Sequence, residues 1–170
     1  IHINAVEGLT SINHQNNNSV IIVSHHKLND EYSFYLLKKG GLISCPVKQN
    51  IGGDFSKGLY IVWFNGANFK FSPDGKYFAS SPSDIKNGIN ERSDIFRFDS
   101  ENLILRNNVA IRDAGQHGIS FSLSSEFIYL SNNRIFQYDL REYDSVKIIQ
   151  SRIQITPWNN SLNPSQLMPD

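Results

Sequence analysis

The sequence predicts an all-β fold, and two observations support this prediction. The first is composition: the 170 residues include 11 Phe and 7 Tyr but one Met, and aromatic and β-branched residues favour strands. The second is pattern, because short alternating apolar segments are separated by turns rich in Asn, Ser, Gly and Asp. A chain of this length fits one ordinary domain, so residues 1–170 are treated as a single unit.

An internal repeat gives the order of the predicted strands. Residues 69–81 align without gaps with residues 119–131, fifty positions later, and each copy is typical of strand, turn, strand. The turn of the first copy consists of Ser72, Pro73, Asp74 and Gly75. Proline presets φ, the aspartate can bond the backbone ahead of it, and glycine accepts a positive φ. The second copy has residues 123–126 there, without Pro-Asp-Gly, which predicts a weaker turn.

Each copy continues into a third alternating strand that ends in an aspartate. These strands are residues 94–99 and 134–139, which end at Asp99 and Asp139. Two recurring carboxylates could indicate acid–base chemistry, but their place between a strand and polar residues favours turn capping. Fourth strands are predicted from three apolar stretches, at residues 45–47, 103–105 and 146–149.

The repeat spacing predicts an incomplete β-propeller. A fainter copy covers residues 9–37, and residues 166–170 overlay residues 70–74, so the chain is expected to be a fragment that stops inside a hairpin. Blade-like units are predicted at about 6–50, 66–110 and 117–155, with a further blade starting at 165–170. Four strands per 40 to 50 residues is typical of propeller blades.

We therefore expect about three blades of four-stranded antiparallel sheets plus the first strand of another. A β-sandwich with two similar hairpins is the alternative fold. Propellers usually need 4 to 8 blades to close, so the missing blades would come from further sequence or another chain. Open end blades also predict self-association of the isolated chain.

Composition excludes several partners. The 16 Lys+Arg balance the 16 Asp+Glu, so no nucleic acid partner is expected. The best apolar run, residues 59–64, is far shorter than a membrane span, so no membrane insertion is expected. Cys45 is the only cysteine, which excludes an intramolecular disulfide, and we interpret it as a structural thiol.

The sequence contains no G-x-S-x-G elbow, phosphate-binding glycine loop or H-E-x-x-H pair, so no catalysis and no cofactor are expected. The remaining candidates are imidazoles near predicted strand ends: His14, His25, His26 and His117. With Asp30 or Asp113 they could meet at one ring opening and bind a metal or an anion. Local hydrogen bonding is the favoured interpretation, because adjacent residues such as His25 and His26 point to opposite faces of a strand. No metal site is therefore predicted.

Aromatic residues have two predicted roles. Seven phenylalanines at buried strand positions are expected to pack between blades: Phe69, Phe71, Phe78, Phe96, Phe121, Phe127 and Phe136. Trp63 lies in a connection outside the repeat, where it would cap a blade edge or offer an exposed binding patch, and capping is favoured. Trp158 receives the same interpretation.

The motif at residues 71–77 resembles the strand-turn-strand signature of TolB-like and WD-repeat-like propellers. The succession of blocks at residues 6–14, 20–25, 34–37, 71–76, 117–122, 135–140 and 166–170 is similar to the propeller region of large secreted proteins of gliding bacteria. Those proteins often carry PKD-like modules and a C-terminal type IX secretion (gliding-motility-associated) sorting domain. The likeness covers nearly the whole chain and implies an extracellular or cell-surface location and a non-enzymatic role.

The expected function is a non-catalytic binding or scaffold module that recognises protein or carbohydrate through propeller loops. The chain is expected to be covalently continuous with further blades and other modules. A propeller-type hydrolase or lyase acting on a saccharide is the alternative, and a purely structural spacer is a third possibility.

Overall fold

In the computed structural model, the described residues are 5, 8–16, 18–27, 29–42, 46–53, 67–82, 92–112, 118–132 and 134–156. Within these ranges the strands form three antiparallel sheets, accompanied by one short helix. The all-β prediction is therefore confirmed. No helix in the described part of the chain has the length and apolar character needed to cross a membrane.

Each sheet is built from strands that follow one another in the chain. Sheet 1 contains β1 (Thr10–Asn13), β2 (Ser19–His25), β3 (Glu31–Lys38), β4 (Gly41–Leu42) and β5 (Val47–Asn50), the last two both paired with β3. Sheet 2 contains β6 (Ala67–Phe71), β7 (Tyr77–Pro82), β8 (Arg92–Asp99) and β9 (Ile104–Arg112). Sheet 3 contains β10 (Gly118–Phe121), β11 (Phe127–Ser131), β12 (Ile135–Asp139) and β13 (Ile153–Gln154), with α1 (Ser145–Gln150) between the last two.

The fifty-residue repeat is visible in the turns. Ser72 N–H donates to the Tyr77 carbonyl at 3.0 Å, and Ser122 N–H donates to the Phe127 carbonyl at 3.0 Å. Gly75 has a φ of 71°, and Ser125, fifty positions later, has a φ of 62°. The second turn thus keeps the geometry of the first without its glycine. The Ser125 hydroxyl also accepts a hydrogen bond from Asp74 N–H at 3.1 Å, which joins the two turns.

Sheet 2 lies between the other two sheets. One core cluster joins Phe78 and Phe96 of sheet 2 to Ile21 and Phe34 of sheet 1. The other joins the opposite face of sheet 2 to sheet 3, through Ala79, Ile95, Val109, Phe121, Ile128 and Leu130. Because both faces of sheet 2 are covered, four successive residues of β8, at 93–96, are all buried.

The aromatic packing prediction is largely confirmed. Six of the seven phenylalanines are buried: Phe69, Phe71, Phe78, Phe96, Phe121 and Phe136. Phe127 is half-buried, and the Arg141 guanidinium lies 5.4 Å from its ring centre. The arginine therefore covers part of the Phe127 ring.

Polar side chains tie the sheets together at their edges. The Gln49 amide of β5 donates to the Leu105 carbonyl at 2.7 Å and accepts from Leu105 N–H at 2.8 Å, so it takes the place of a neighbouring strand. The Tyr143 hydroxyl shares its one donor hydrogen between the carbonyls of Ile95, at 2.8 Å, and Asn107, at 3.1 Å, beside an irregularity in the β8–β9 pairing. These bonds satisfy backbone groups that the sheets leave unpaired.

One predicted strand is wrong. Residues 146–149 lie in α1, because the Asp144 carboxylate accepts hydrogen bonds from Val146 N–H and Lys147 N–H, both at 3.0 Å, and caps the helix. Only Ile148 of the helix is buried. The run was too short for its period to separate strand from helix, and the fourth strand of sheet 3 is β13. Of the other predicted fourth strands, residues 103–105 overlap β9, and Val47 begins β5, whereas Cys45 lies outside the described residues.

Two substitutions of Ser125 should distinguish the stability that its hydrogen bond contributes from the stability that its positive φ costs. Ser125→Ala loses the bond to Asp74 N–H and keeps a side chain at positive φ, so we expect a loss of about 1 kcal/mol. Ser125→Gly loses the same bond but removes the strain, worth about 1 kcal/mol, so its stability should stay near wild type. Urea denaturation measures the free energy of unfolding of both variants. Equal stabilities for the two variants would contradict this account.

Replacement of Gln49 should expose the edge of β9. Gln49→Met leaves both backbone groups of Leu105 unpaired and should cost about 1–3 kcal/mol. Gln49→Glu keeps an acceptor for Leu105 N–H, so that amide should remain protected in hydrogen exchange, whereas Gln49→Met should release it. Lys38→Gln, at an exposed position of the same sheet, is the control and should change neither measurement.

Candidate functional site

A cleft opens where the first strands of the three sheets lie side by side. β6 contacts β1 on one side and β10 on the other. The cleft has a volume of about 310 Å³. Its lining comes from all three strands and the turn after β6: Thr10, Ser11, Ile12, Lys70, Phe71, Ser72, Pro73 and Phe121.

The strand pattern explains which groups the cleft presents. Phe69 and Phe71 are buried, and Lys70 between them is exposed, because alternate residues of a strand point to opposite faces. On β1, Ser11 is likewise exposed between the half-buried Thr10 and Ile12. The lining therefore combines hydroxyl groups, one ammonium group and apolar carbon atoms.

The turn beside the cleft is held by its own hydrogen bonds. The Ser72 hydroxyl donates to Asp74 Oδ1 at 2.7 Å and accepts from Tyr77 N–H at 2.9 Å. Burial alone would raise the pKa of Asp74, but hydrogen bonds from Ser72 and Lys76 and the Lys76 charge hold that pKa below its usual range. The carboxylate is thus ionised at neutral pH and pairs with Lys76 Nζ at 3.1 Å.

Of the described residues that line the cleft, Lys70 is the one with a charge. The Asp74 carboxylate in the adjacent turn is already paired with Lys76. Within the described ranges, no carboxylate forms an ion pair with Lys70. An exposed ammonium group beside hydroxyl groups can bind an acceptor or an anion.

The structure places three of the four candidate histidines. His14 follows β1, and its Nδ1 accepts a hydrogen bond from Asn16 N–H at 3.2 Å. His25 ends β2, is fully buried, and its ring lies edge-on to Tyr32 at 4.3 Å between centroids. His26 is half-buried and pairs with Ala5 through the backbone. His117 and Trp63 lie outside the described residues, as do Asp113 and Trp158.

The structure does not bring His14 and His25 to the same end of sheet 1. His14 N–H bonds the carbonyl of Ser19, the first residue of β2, whereas His25 is the last. At about 3.3 Å per residue, the two lie about 20 Å apart along the strand. Asp30 accepts a hydrogen bond from Asn50. In the described part of the chain, no three His, Cys, Asp or Glu side chains are grouped as metal ligands.

Asp99 and Asp139 each cap a turn within its own sheet. Asp99 Oδ1 accepts from Asn102 N–H at 3.0 Å, and Asp139 Oδ1 accepts from Arg141 N–H at 2.9 Å. Hydrogen bonds from Asn102, and then the Arg106 guanidinium, lower the pKa of Asp99, and hydrogen bonding to Arg141 lowers the pKa of Asp139. Both carboxylates are held ionised by local partners, which suits capping.

A second cleft, of about 510 Å³, lies between the end of β12 and α1. Its charged side chains pair with each other: Arg141 with Asp139 at 2.6 Å, and Lys147 with Glu142. A ligand would have to separate these pairs, so this cleft is the weaker candidate.

Sequence reasoning missed a buried polar cluster between sheets 1 and 2. The Tyr32 and Ser80 hydroxyls share a hydrogen bond of 2.6 Å. Asp94 is 1% exposed, accepts from Gly53 N–H at 2.8 Å and lies 2.6 Å from an Arg92 Nη atom. Burial, and then the Asp94 charge, raises the pKa of Tyr32. The sequence signal for this cluster was the presence of polar residues inside a predicted buried strand.

Sequence reasoning also missed Lys70 and Ser11. The available signal was a polar residue between two apolar ones on each predicted first strand. That pattern did not show that the first strands containing Ser11 and Lys70 would lie next to each other.

The sequence matches no protein-family model and no curated protein. Among solved structures, the chain is similar to hydrazine synthase from Kuenenia stuttgartiensis, with 9% sequence identity and a TM-score of 0.44. The alignment covers 89% of this chain and 49% of that one, so the chain spans about half the length of that structure. The likeness carries no argument about what this chain does.

Tyr32 should make the protein sensitive to alkali. Its raised pKa means that the fold holds the neutral phenol. Stability from this group is therefore complete below about pH 10, the pKa of an unfolded tyrosine, and is lost as the pH rises further. One such group contributes a slope of about 1.4 kcal/mol per pH unit.

Urea denaturation between pH 8 and 11 measures that slope. Tyr32→Phe should reduce the alkaline loss, because the ionisable group is gone. Ser80→Ala removes the same hydrogen bond but keeps the phenol, so it should lose stability at all pH values and retain the alkaline slope. If Tyr32→Phe kept the full slope of the wild type, the buried phenol would not be its source.

Proposed function

We propose that the chain is part of a β-propeller and acts as a non-catalytic binding module. Three stacked sheets with adjacent first strands support the propeller arrangement. In such an arrangement the first strand of each blade lies nearest the axis, so the cleft would open at the centre of the ring. The sheets hold this surface rigid, which suits recognition.

The ligand that the cleft suits best is an acidic carbohydrate. The observation that carries this choice is the exposed Lys70, unpaired among the described residues, in the same cleft as Thr10 and Ser11. An ammonium group binds a carboxylate or sulfate, and hydroxyl groups bond sugar hydroxyls. A volume of about 310 Å³ is at the small end for ligand sites. It therefore suits a short saccharide unit better than a folded protein surface.

The location is proposed from the resemblance given above. A module of large secreted proteins would work outside the cell or at its surface, where polysaccharides are available ligands. The further blades and other modules of such a protein would be covalently continuous with this chain.

A glycan array containing neutral and acidic polysaccharides tests the proposal. The wild-type chain should bind acidic glycans, and Lys70→Ala should weaken binding about 10-fold or more, as expected for a lost charged hydrogen bond. Binding should also weaken with added salt. Lys38→Ala, an exposed lysine outside the cleft, is the matched control and should leave binding unchanged.

Three results would contradict the proposal. These are no glycan binding, equal binding by Lys70→Ala and wild type, or a preference for an acidic peptide. Turnover of a bound polysaccharide would instead favour the hydrolase or lyase alternative.

A further inference from the structure

A pair of arginines lies on the third and fourth strands of sheet 2, on the side that faces sheet 3. Arg97 of β8 is directly paired with Arg106 of β9, so the two side chains point to the same face of the sheet. Tyr77, the partner of Arg97 on β7, packs against the core cluster between sheets 2 and 3, which identifies this face. Both arginines are exposed.

The charges of this pair are incompletely balanced. Like charges directly opposite each other on neighbouring strands repel. Asp99 Oδ2 lies 3.3 Å from an Arg106 Nη atom, but the same carboxylate also accepts hydrogen bonds from Asn102. Among the described residues, no carboxylate forms an ion pair with Arg97. The two guanidinium groups therefore have one paired carboxylate between them, and one positive charge is left unbalanced.

An aromatic stack holds Arg97 in position. Its guanidinium carbon lies 4.9 Å from the ring centre of Tyr143. The Tyr143 ring stacks on Tyr77, with 5.3 Å between centroids and 9° between ring planes, and its hydroxyl hydrogen is shared between the carbonyls of Ile95 and Asn107. A guanidinium group stacked on a ring keeps its N–H groups for hydrogen bonds in its own plane. Arg97 therefore loses little side-chain freedom when it binds an anion.

We propose that Arg97 and Arg106 form a second anion site, which binds a sulfate ester of an acidic polysaccharide. Each guanidinium group can donate two parallel hydrogen bonds to an oxyanion. A carboxylate matches one such pair of donors, whereas the three terminal oxygens of a sulfate ester can accept from both arginines. The ester also supplies the negative charge that the arginine pair lacks. The polysaccharide as carrier rests on the proposed function, but the anion site itself does not.

Inorganic sulfate tests the site without any glycan. The isotopically labelled 170-residue chain is titrated with sodium sulfate, and sodium chloride keeps the ionic strength constant. The Nε–H resonances of Arg97 and Arg106 should shift and saturate, and Arg97→Gln should weaken sulfate binding about 10-fold or more. Arg112→Gln is the charge-matched control, because Arg112 is exposed on the same strand about 20 Å from Arg106. Arg112→Gln and Lys70→Ala should both leave the titration unchanged.

Two polysaccharides with equal charge per repeating unit, one sulfated and one carboxylated, test the ligand class. The wild-type chain should bind the sulfated polymer more tightly. Arg97→Lys keeps the positive charge but loses the paired donors, so it should bind the sulfated polymer about 10-fold more weakly and the carboxylated polymer nearly as well as wild type. Arg112→Gln should keep the wild-type preference.

Three results would overturn the anion site. These are the absence of saturable sulfate shifts at the two arginines, equal weakening by Arg97→Gln and Arg112→Gln, and equal affinity of the wild type for the two polymers. None of them affects glycan binding at Lys70, so the proposed function could survive each. Saturable sulfate binding without binding of either polymer would overturn the polysaccharide carrier and the proposed function, and would leave the anion site in place.

Discussion

The burial of sheet 2 on both faces is the constraint on which the rest of the structure depends. Phe78 and Phe96 fill the space toward sheet 1, and Ala79 and Ile95 fill the space toward sheet 3. A large residue on one face and a small one next to it on the same strand let both neighbours approach closely. The spacing of the three sheets, and therefore the meeting of their first strands, follows from this packing.

The turns that follow β6 and β10 lie next to each other as a result of this stacking. The Ser72 turn and the Ser122 turn have matched hydrogen bonds, and the Ser125 hydroxyl connects them. This connection holds the turns at the ends of β6 and β10 together, beside the cleft that contains Lys70. The turns that border the cleft are therefore fixed by hydrogen bonds within each turn and between the two turns.

Local patterns predicted the elements well and their contacts poorly. Alternation predicted β2, β8 and β12, because a half-buried strand requires period two. It misassigned α1, where the Asp144 cap decided the helix. The Tyr32–Ser80 bond and the Gln49–Leu105 bonds join residues 48 and 56 positions apart, and local patterns do not identify these pairs of partners.

The sequence by itself determined the strand order, the reversal at Ser72 to Gly75 and the residues that would be apolar inside. These follow from dihedral preferences and side-chain period, which act over a few residues. Only the tertiary structure decided which face of each sheet is covered and which polar groups meet at the cleft. Those outcomes depend on how sheets far apart in the chain pack together, and a residue's local neighbours contain no information about that packing.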